Sequence, residues 1–280
     1  LAAIMTDRPE AMVRLQTDYD YRDVYEEGED LVASDRTDIP LPYRSVVIYR
    51  YYDEASEAFS DGNTPPIQHF GLGLGKLILR LRDRICGNPA NRVAPKDFRV
   101  YLVGHSMGGL VCRCFLQNQK LGTDPKFNLS KAELQQLAEA RALVDKFFTY
   151  ATPHNGIDMR IVRNVPAWVS FGDVNNFNRD RMADYLGLPA SSDDVSDLGS
   201  FPADRVFNLV GTNPNDYAVM KGLSAWAAGE ASDGLVRIEN ATTHGRTANG
   251  SDLSSPRAFV NRSHSGHYGI VNSEEGYQNL

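Results

Sequence analysis

The chain has 280 residues, of which 42% are hydrophobic and 23% are charged, so its composition is that of a folded globular protein and not of a disordered chain, a fibre or a membrane bundle. Its formal net charge of −7 argues against a sequence-independent grip on nucleic acid, because phosphate binding requires a surplus of Lys and Arg on one face. We expect one domain, residues 1–280, with no nucleic-acid partner.

No stretch approaches the eighteen or so apolar residues of a membrane span, so we expect no transmembrane segment. The chain opens at Leu1 without an initiator Met, and we expect a fragment shortened at its amino terminus. Its compartment and oligomeric state therefore stay open, as does peripheral contact with a membrane. Cys86, Cys112 and Cys114 are too few for a disulfide framework, and we expect all three to be buried.

Short apolar runs alternate with amphipathic stretches, which is typical of a mostly parallel sheet covered by helices. Apolar residues at spacings of three and four predict a crossover helix over 67–85, after Pro65-Pro66 and before Gly87. The glycines of 71–75 lie inside this helix, so they indicate close packing against the sheet and not a phosphate loop. The predicted strands are 45–49, 99–103, 146–150, 206–210 and 257–260.

The alternation stops over residues 157–202, where apolar and aromatic side chains such as Trp168 are mixed with polar ones. An insertion of this length between two strands is usually functional, and its aromatic content argues against disorder. We expect a cap, or lid, that contacts the substrate.

The pentapeptide Gly104-His105-Ser106-Met107-Gly108 follows the strand 99–103 and precedes an apolar helical stretch, 110–116. A serine in a sharp turn from strand to helix is a nucleophile elbow. The amino end of the helix points at the same place, so the backbone amide of Met107 can donate to an anion that forms on a substrate carbonyl. Ser106 is therefore the candidate nucleophile, and Met107 supplies one candidate oxyanion donor.

A serine hydroxyl needs a histidine base within hydrogen-bond reach. His267 lies in a Gly/Ser loop after the last predicted strand, where a base can reach back over the sheet, and it is the preferred candidate. His264, in the same loop, is the alternative base, and His244 is a weaker one. His69 and His105 are not expected to act as the base.

The acid of such a triad stands between the serine and the histidine in the chain. Asp233 fits this order, and it lies beyond the strand 206–210 in a turn-forming Asp-Gly context. Asp158 and Asp216 are the alternative acids. A structural role for Asp233, as the cap of a turn, stays open at this point.

Four segments resemble those of the α/β-hydrolase lipases and esterases, and they occur in that family's order. Residues 101–111 are similar to the elbow, Thr152-Pro153-His154 to a segment after the next strand, Asp233-Gly234-Leu235-Val236 to the acid loop, and His267-Tyr268-Gly269-Ile270 to the base loop. The resemblance implies an α/β-hydrolase fold with an inserted cap, and an ester or lipid substrate.

By position, the resemblance also implies Ser106 as nucleophile, Asp233 as acid and His267 as base, with no cofactor. His105 and Trp168 are then expected to line the substrate, and His154 is expected to line it or to have a structural role, but not to act as the base. The family's His-Gly motif after an earlier strand is missing, because the only such pair, His244-Gly245, comes too late. The second oxyanion donor is therefore unassigned.

The leading functional hypothesis is a serine hydrolase that cleaves a carboxylic ester through an acyl-enzyme. An acyltransferase with the same triad and a non-catalytic binding protein of the same fold are the alternatives. A metal site is not expected, because the chain lacks a His-Glu-x-x-His motif and cysteine pairs with zinc spacing.

Overall fold

The computed structural model describes residues 2–5, 43, 46–49, 66–123, 125–157, 177, 179–190, 192, 194–213, 232–264 and 269–280. No helix within these ranges is long and apolar enough to cross a membrane. The three cysteines are free thiols; Cys112 and Cys114 are buried as expected, whereas Cys86 is half-buried.

A six-stranded sheet forms the centre of the fold, in the order β2-β1-β3-β4-β5-β8. The last four strands run parallel, whereas β1 is antiparallel to both of its neighbours. A separate antiparallel pair is made by β6 and β7. The strands are β1 (Ala2–Met5), β2 (Val46–Tyr49), β3 (Val100–His105), β4 (Val144–Tyr150), β5 (Val206–Gly211), β6 (His244–Arg246), β7 (Asp252–Ser254) and β8 (Arg257–Val260).

Within the described ranges, five α-helices accompany the sheet: α1 (Ile67–Gly87), α2 (Met107–Gln117), α3 (Lys131–Ala142), α4 (Arg179–Leu186) and α5 (Glu274–Gln278). The predicted class, a mostly parallel sheet flanked by helices, is confirmed. Each of the five predicted strands overlaps an observed strand, and the predicted crossover helix is α1. The sequence did not predict β1 or the pair of β6 and β7, each of which has only three or four residues.

The glycines of α1 allow close packing on two sides of the helix. A Cβ atom added at Gly71 would lie 3.4 Å from the Sγ atom of Cys114, and one at Gly75 would lie 3.0 Å from the ring of Phe115, both on α2. At Gly73 it would collide with the hydroxyl of Tyr49 on β2. The expected packing against the sheet is therefore found at Gly73, while the outer two glycines contact a helix.

The described residues of the predicted cap, which are 177, 179–190, 192 and 194–202, pack against α2. Met182 and Leu186 of α4 belong to the same hydrophobic core as α1 and the sheet. The side chains of Gln117 and Asn118 donate hydrogen bonds to the backbone oxygens of Leu186 and Tyr185, at 3.1 and 3.0 Å. Residues 158–176, including Trp168, lie outside the described residues, and the cap stays a prediction.

A fully buried arginine joins α2 to this segment. The guanidinium of Arg113 donates to the backbone oxygens of His154, Val195 and Asp197, each at 2.9 Å. Burial lowers the pKa of Arg113 to about 10. Since carbonyl oxygens take the place of the water lost on burial, the charge is accommodated inside the protein and fixes the segment after α4 against α2.

Five buried polar side chains form a hydrogen-bonded chain through the sheet. The ring Nε2 of His154 donates to the hydroxyl of Thr149, which donates to the Oδ1 atom of Asn208. The amide of Asn208 donates to Thr243, whose hydroxyl donates to Ser255. Because Nε2 is the donor, the Nδ1 atom of His154 carries no proton, and it is buried without a hydrogen-bond partner.

Burial, together with the positive charge of Arg113, holds the pKa of His154 well below its usual value of 6.5. We expect the stability of the protein to fall as the pH drops below 6.5, because the unfolded state then binds a proton at residue 154 that the folded state excludes. Relative to His154→Gln, unmodified protein should lose up to about 1.4 kcal/mol of unfolding free energy per pH unit in this range.

Denaturant unfolding between about pH 5 and about pH 7.5 measures this difference. The matched control is Thr149→Val, which removes the hydrogen-bond partner and keeps the titrating ring, so its curve should run parallel to that of unmodified protein. Curves for unmodified protein and His154→Gln that stay parallel would rule out the proton exclusion.

Candidate active site

Ser106 sits in a strained turn between β3 and α2. Its backbone has φ 53° and ψ −128°, a conformation that side-chain-bearing residues rarely adopt. Its N–H donates to the backbone oxygen of Tyr150 at 3.0 Å, and its own carbonyl accepts from the N–H of Gly109 at 3.0 Å. These two bonds hold the turn to β4 and to the start of α2, in the way that a nucleophile elbow requires.

The turn is possible because two glycines let three pieces of chain approach closely. A Cβ atom on Gly104 would lie 2.7 Å from the Cα atom of Gly109, and one on Gly109 would collide with the side chain of Thr152. Gly109 and its contact with Thr152 were not predicted, because Thr152, which follows β4, is distant from Gly109 in sequence.

Ser106, His264 and Asp233 form one line of hydrogen bonds. The Nε2 atom of His264 is 2.9 Å from the Oγ atom of Ser106, and its Nδ1 atom is 3.0 Å from the Oδ2 atom of Asp233. All three side chains are almost inaccessible, with exposures of 5%, 0% and 1% for Ser106, His264 and Asp233. A carboxylate accepts the proton of Nδ1, so Nε2 is the acceptor that faces the serine hydroxyl.

Asp233 is held in place by its own turn. Its Oδ1 atom accepts hydrogen bonds from the backbone N–H groups of Leu235 and Val236, at 3.0 and 2.7 Å. Gly234, which follows it, has φ 98°, a value that favours glycine. With Oδ1 occupied by two amides, Oδ2 is the oxygen that remains for His264.

The geometry favours the alternative base, and the assignment of the base stays a proposal. The expected place between Ser106 and Asp233 is taken by His264, the alternative, whereas His267 lies outside the described residues. The backbone supplies the physical reason: the N–H of His264 donates to the carbonyl oxygen of Asp233 at 2.9 Å, which brings this residue of the loop against the acid. The alternative acids, Asp158 and Asp216, also lie outside the described residues.

His154 and His105 were also predicted to belong to the site, and the structure gives them different surroundings. His154, expected to line the substrate, is fully buried in the polar chain described above, so we assign it a structural position. His105 is half-buried, and its Nε2 atom lies 2.9 Å from the backbone oxygen of His264. Burial, and then repulsion from the charge that His264 can carry, hold the pKa of His105 well below 6.5.

The amide of Met107 is the first of α2, and the first amides of a helix have no partner within it. Met107 therefore follows Ser106 directly at the amino end of α2, and its role as an oxyanion donor stays a prediction. The second donor is still unassigned. Within the described ranges, no group of three or more His, Cys, Asp or Glu side chains could hold a metal ion.

A methyl group at residue 104 should disrupt the elbow. In Gly104→Ala the added atom meets backbone atoms of Gly109 that cannot move aside, so we expect a loss of about 2–4 kcal/mol of unfolding free energy, measured by denaturant unfolding. The matched control is Gly87→Ala at the end of α1, where nothing lies within 4 Å of the added atom. It should be neutral or stabilising by up to about 1 kcal/mol. Equal effects of the two substitutions would contradict the close approach.

No family model matches the chain, and no curated protein matches it. Among solved structures, the chain is similar to the lipase BlEst2 of Bacillus licheniformis in its mature form. The sequence identity is 18%, 76% of each chain is covered, and the TM-score is 0.38.

Proposed function

We propose that this protein is a serine hydrolase of the α/β-hydrolase superfamily that cleaves carboxylic esters through an acyl-enzyme. The observation that carries the proposal is the hydrogen-bonded line from Asp233 through His264 to Ser106. Two further features support it: the strained serine at the start of a helix, and the burial of all three side chains. The ester or lipid substrate class rests on the sequence resemblance.

In the proposed reaction, the Oγ atom of Ser106 attacks the ester carbonyl while Nε2 of His264 takes the hydroxyl proton. Asp233 stabilises the imidazolium that forms and holds the ring with its Nδ1–H toward the carboxylate. His264 then gives the proton to the departing alcohol, which leaves the acyl group on Ser106. A water molecule, deprotonated by the same ring, releases the acid and restores the serine.

The Met107 amide would stabilise the negative charge that develops on the carbonyl oxygen. It is fixed by the helix, so no reorganisation accompanies the charge, and such a donor is typically worth about a hundredfold or more in rate. A serine hydroxyl alone is a weak nucleophile, and these neighbours explain how Ser106 would react at neutral pH.

A serine-reactive phosphonate probe tests the nucleophile directly. We expect covalent labelling of the unmodified protein, loss of the label in Ser106→Ala, and full labelling of the matched control Ser200→Ala, whose exposed hydroxyl lies away from the triad. Intact mass spectrometry reads the label. Label that persisted in Ser106→Ala would overturn the proposal.

The two histidines of the base loop can be separated by substitution. His264→Ala removes the ring that bridges Ser106 and Asp233, and we expect it to lower kcat for a model ester by at least about a thousandfold. His267→Ala, which keeps the imidazole of His264 between Ser106 and Asp233, should stay within about tenfold of the unmodified protein. Steady-state kinetics with a nitrophenyl ester measure both. The reverse order of effects would return the base assignment to His267.

A further inference from the structure

His105 is placed to control the position of His264. It is the last residue of β3 and immediately precedes Ser106. Its Nε2 atom lies 2.9 Å from the backbone oxygen of His264, a contact between residues 159 positions apart in the chain. Because a carbonyl oxygen can only accept, Nε2 of His105 carries the proton and donates it.

Both backbone polar groups of His264 are thereby bonded to neighbours of the same site. Its N–H donates to the backbone oxygen of Asp233 at 2.9 Å, and its carbonyl accepts from the ring of His105. One bond fixes His264 to the acid, and the other fixes it to the end of β3, the strand that immediately precedes the serine. The distance between the imidazole of His264 and the hydroxyl of Ser106 depends on both.

The donor at this place must also be uncharged. The ring centroids of His105 and His264 are 5.1 Å apart, so a positive charge on residue 105 would oppose proton uptake by His264. A neutral imidazole donates one hydrogen bond through Nε2 and adds no charge, whereas a lysine or an arginine would supply the donor together with the repulsion.

We propose that His105 is a positioning residue, whose neutral Nε2–H group holds the main chain of His264 so that the imidazole meets both Ser106 and Asp233. The inference rests on the proposed function in that it assigns His264 as the base. It concerns the geometry of the site and not the identity of the ester.

Three substitutions separate the effect of the hydrogen bond that His105 donates from the effect of the packing of its ring. His105→Phe keeps a ring and removes the donor, His105→Gln keeps an uncharged N–H donor at a similar reach, and His69→Gln is the matched control on the exposed face of α1. With a nitrophenyl ester, His105→Phe should lower kcat about tenfold with KM within about twofold, the size expected for one lost hydrogen bond. His105→Gln should recover most of the loss, and His69→Gln should match the unmodified protein.

A second readout does not depend on turnover. The proton on Nδ1 of His264, bonded to Asp233, gives a proton NMR signal that is identified by its absence in His264→Ala. We expect its exchange with water to rise about tenfold in His105→Phe and to stay slow in His105→Gln. In the unmodified protein, nitrogen-15 shifts should show His105 as the neutral tautomer with the proton on Nε2.

The outcomes are distinct. Normal kcat and slow exchange in His105→Phe, a His105→Gln variant as impaired as His105→Phe, or a tautomer with the proton on Nδ1 of His105 would each overturn the positioning role. If the unmodified protein neither turned over esters nor took the phosphonate label, the proposed function would fail. In that case the exchange rates and the tautomer would still decide the role of His105.

Discussion

The candidate site depends on one close approach of backbone to backbone, where α2 leaves the end of β3. A side chain at Gly104 would collide with the backbone of Gly109, and a side chain at Gly109 would collide with Thr152. The hydroxyl of Thr152 points back at the carbonyl of Gly104, which brings the end of β4 into the same contact. Ser106 is forced into its positive φ by this packing, and the amino end of α2 is directed at its hydroxyl as a result.

Asp233 and His264 are brought next to Ser106 by different strands and loops. The carboxyl ends of β3, β5 and β8 lie on the same edge of the sheet, since these strands are parallel. Asp233 comes well after β5 in sequence, yet a Cβ atom on Gly211, at the end of that strand, would lie 2.8 Å from its Cβ atom. His264 follows β8 closely and is bonded through its main chain to Asp233. The two loops therefore position each other, and the end of β5 supports the acid.

The parts of the site that could be predicted from the sequence have local signals, and the other parts depend on contacts between residues that are distant in the chain. Ser106 and α1 were predictable because their signals are local: a strand followed by Gly-x-Ser-x-Gly and a helix, and apolar residues at helical spacing. No local sequence signal separates His264 from His267 as the base. The two are three residues apart in sequence, and the Nδ1–H group of His264 donates its hydrogen bond to Asp233, 31 residues earlier in the chain. The burial of His154 likewise depends on Thr149 and on Asn208, which lies on a neighbouring strand.

A neutral imidazole at residue 105 can donate a hydrogen bond to the base without adding a positive charge beside it. At 5.1 Å and an effective dielectric constant of about 20, a second positive charge would oppose a charge on the ring of His264 by about 3 kcal/mol. One hydrogen bond to the carbonyl of His264 contributes about 1 kcal/mol, so a charged donor at residue 105 would cost more than its bond returns. Burial removes this conflict, because it lowers the pKa of His105 and keeps the ring neutral while the donor remains. The charge that forms on His264 then faces Asp233 without a competing cation at residue 105, which is the condition that proton transfer from Ser106 requires.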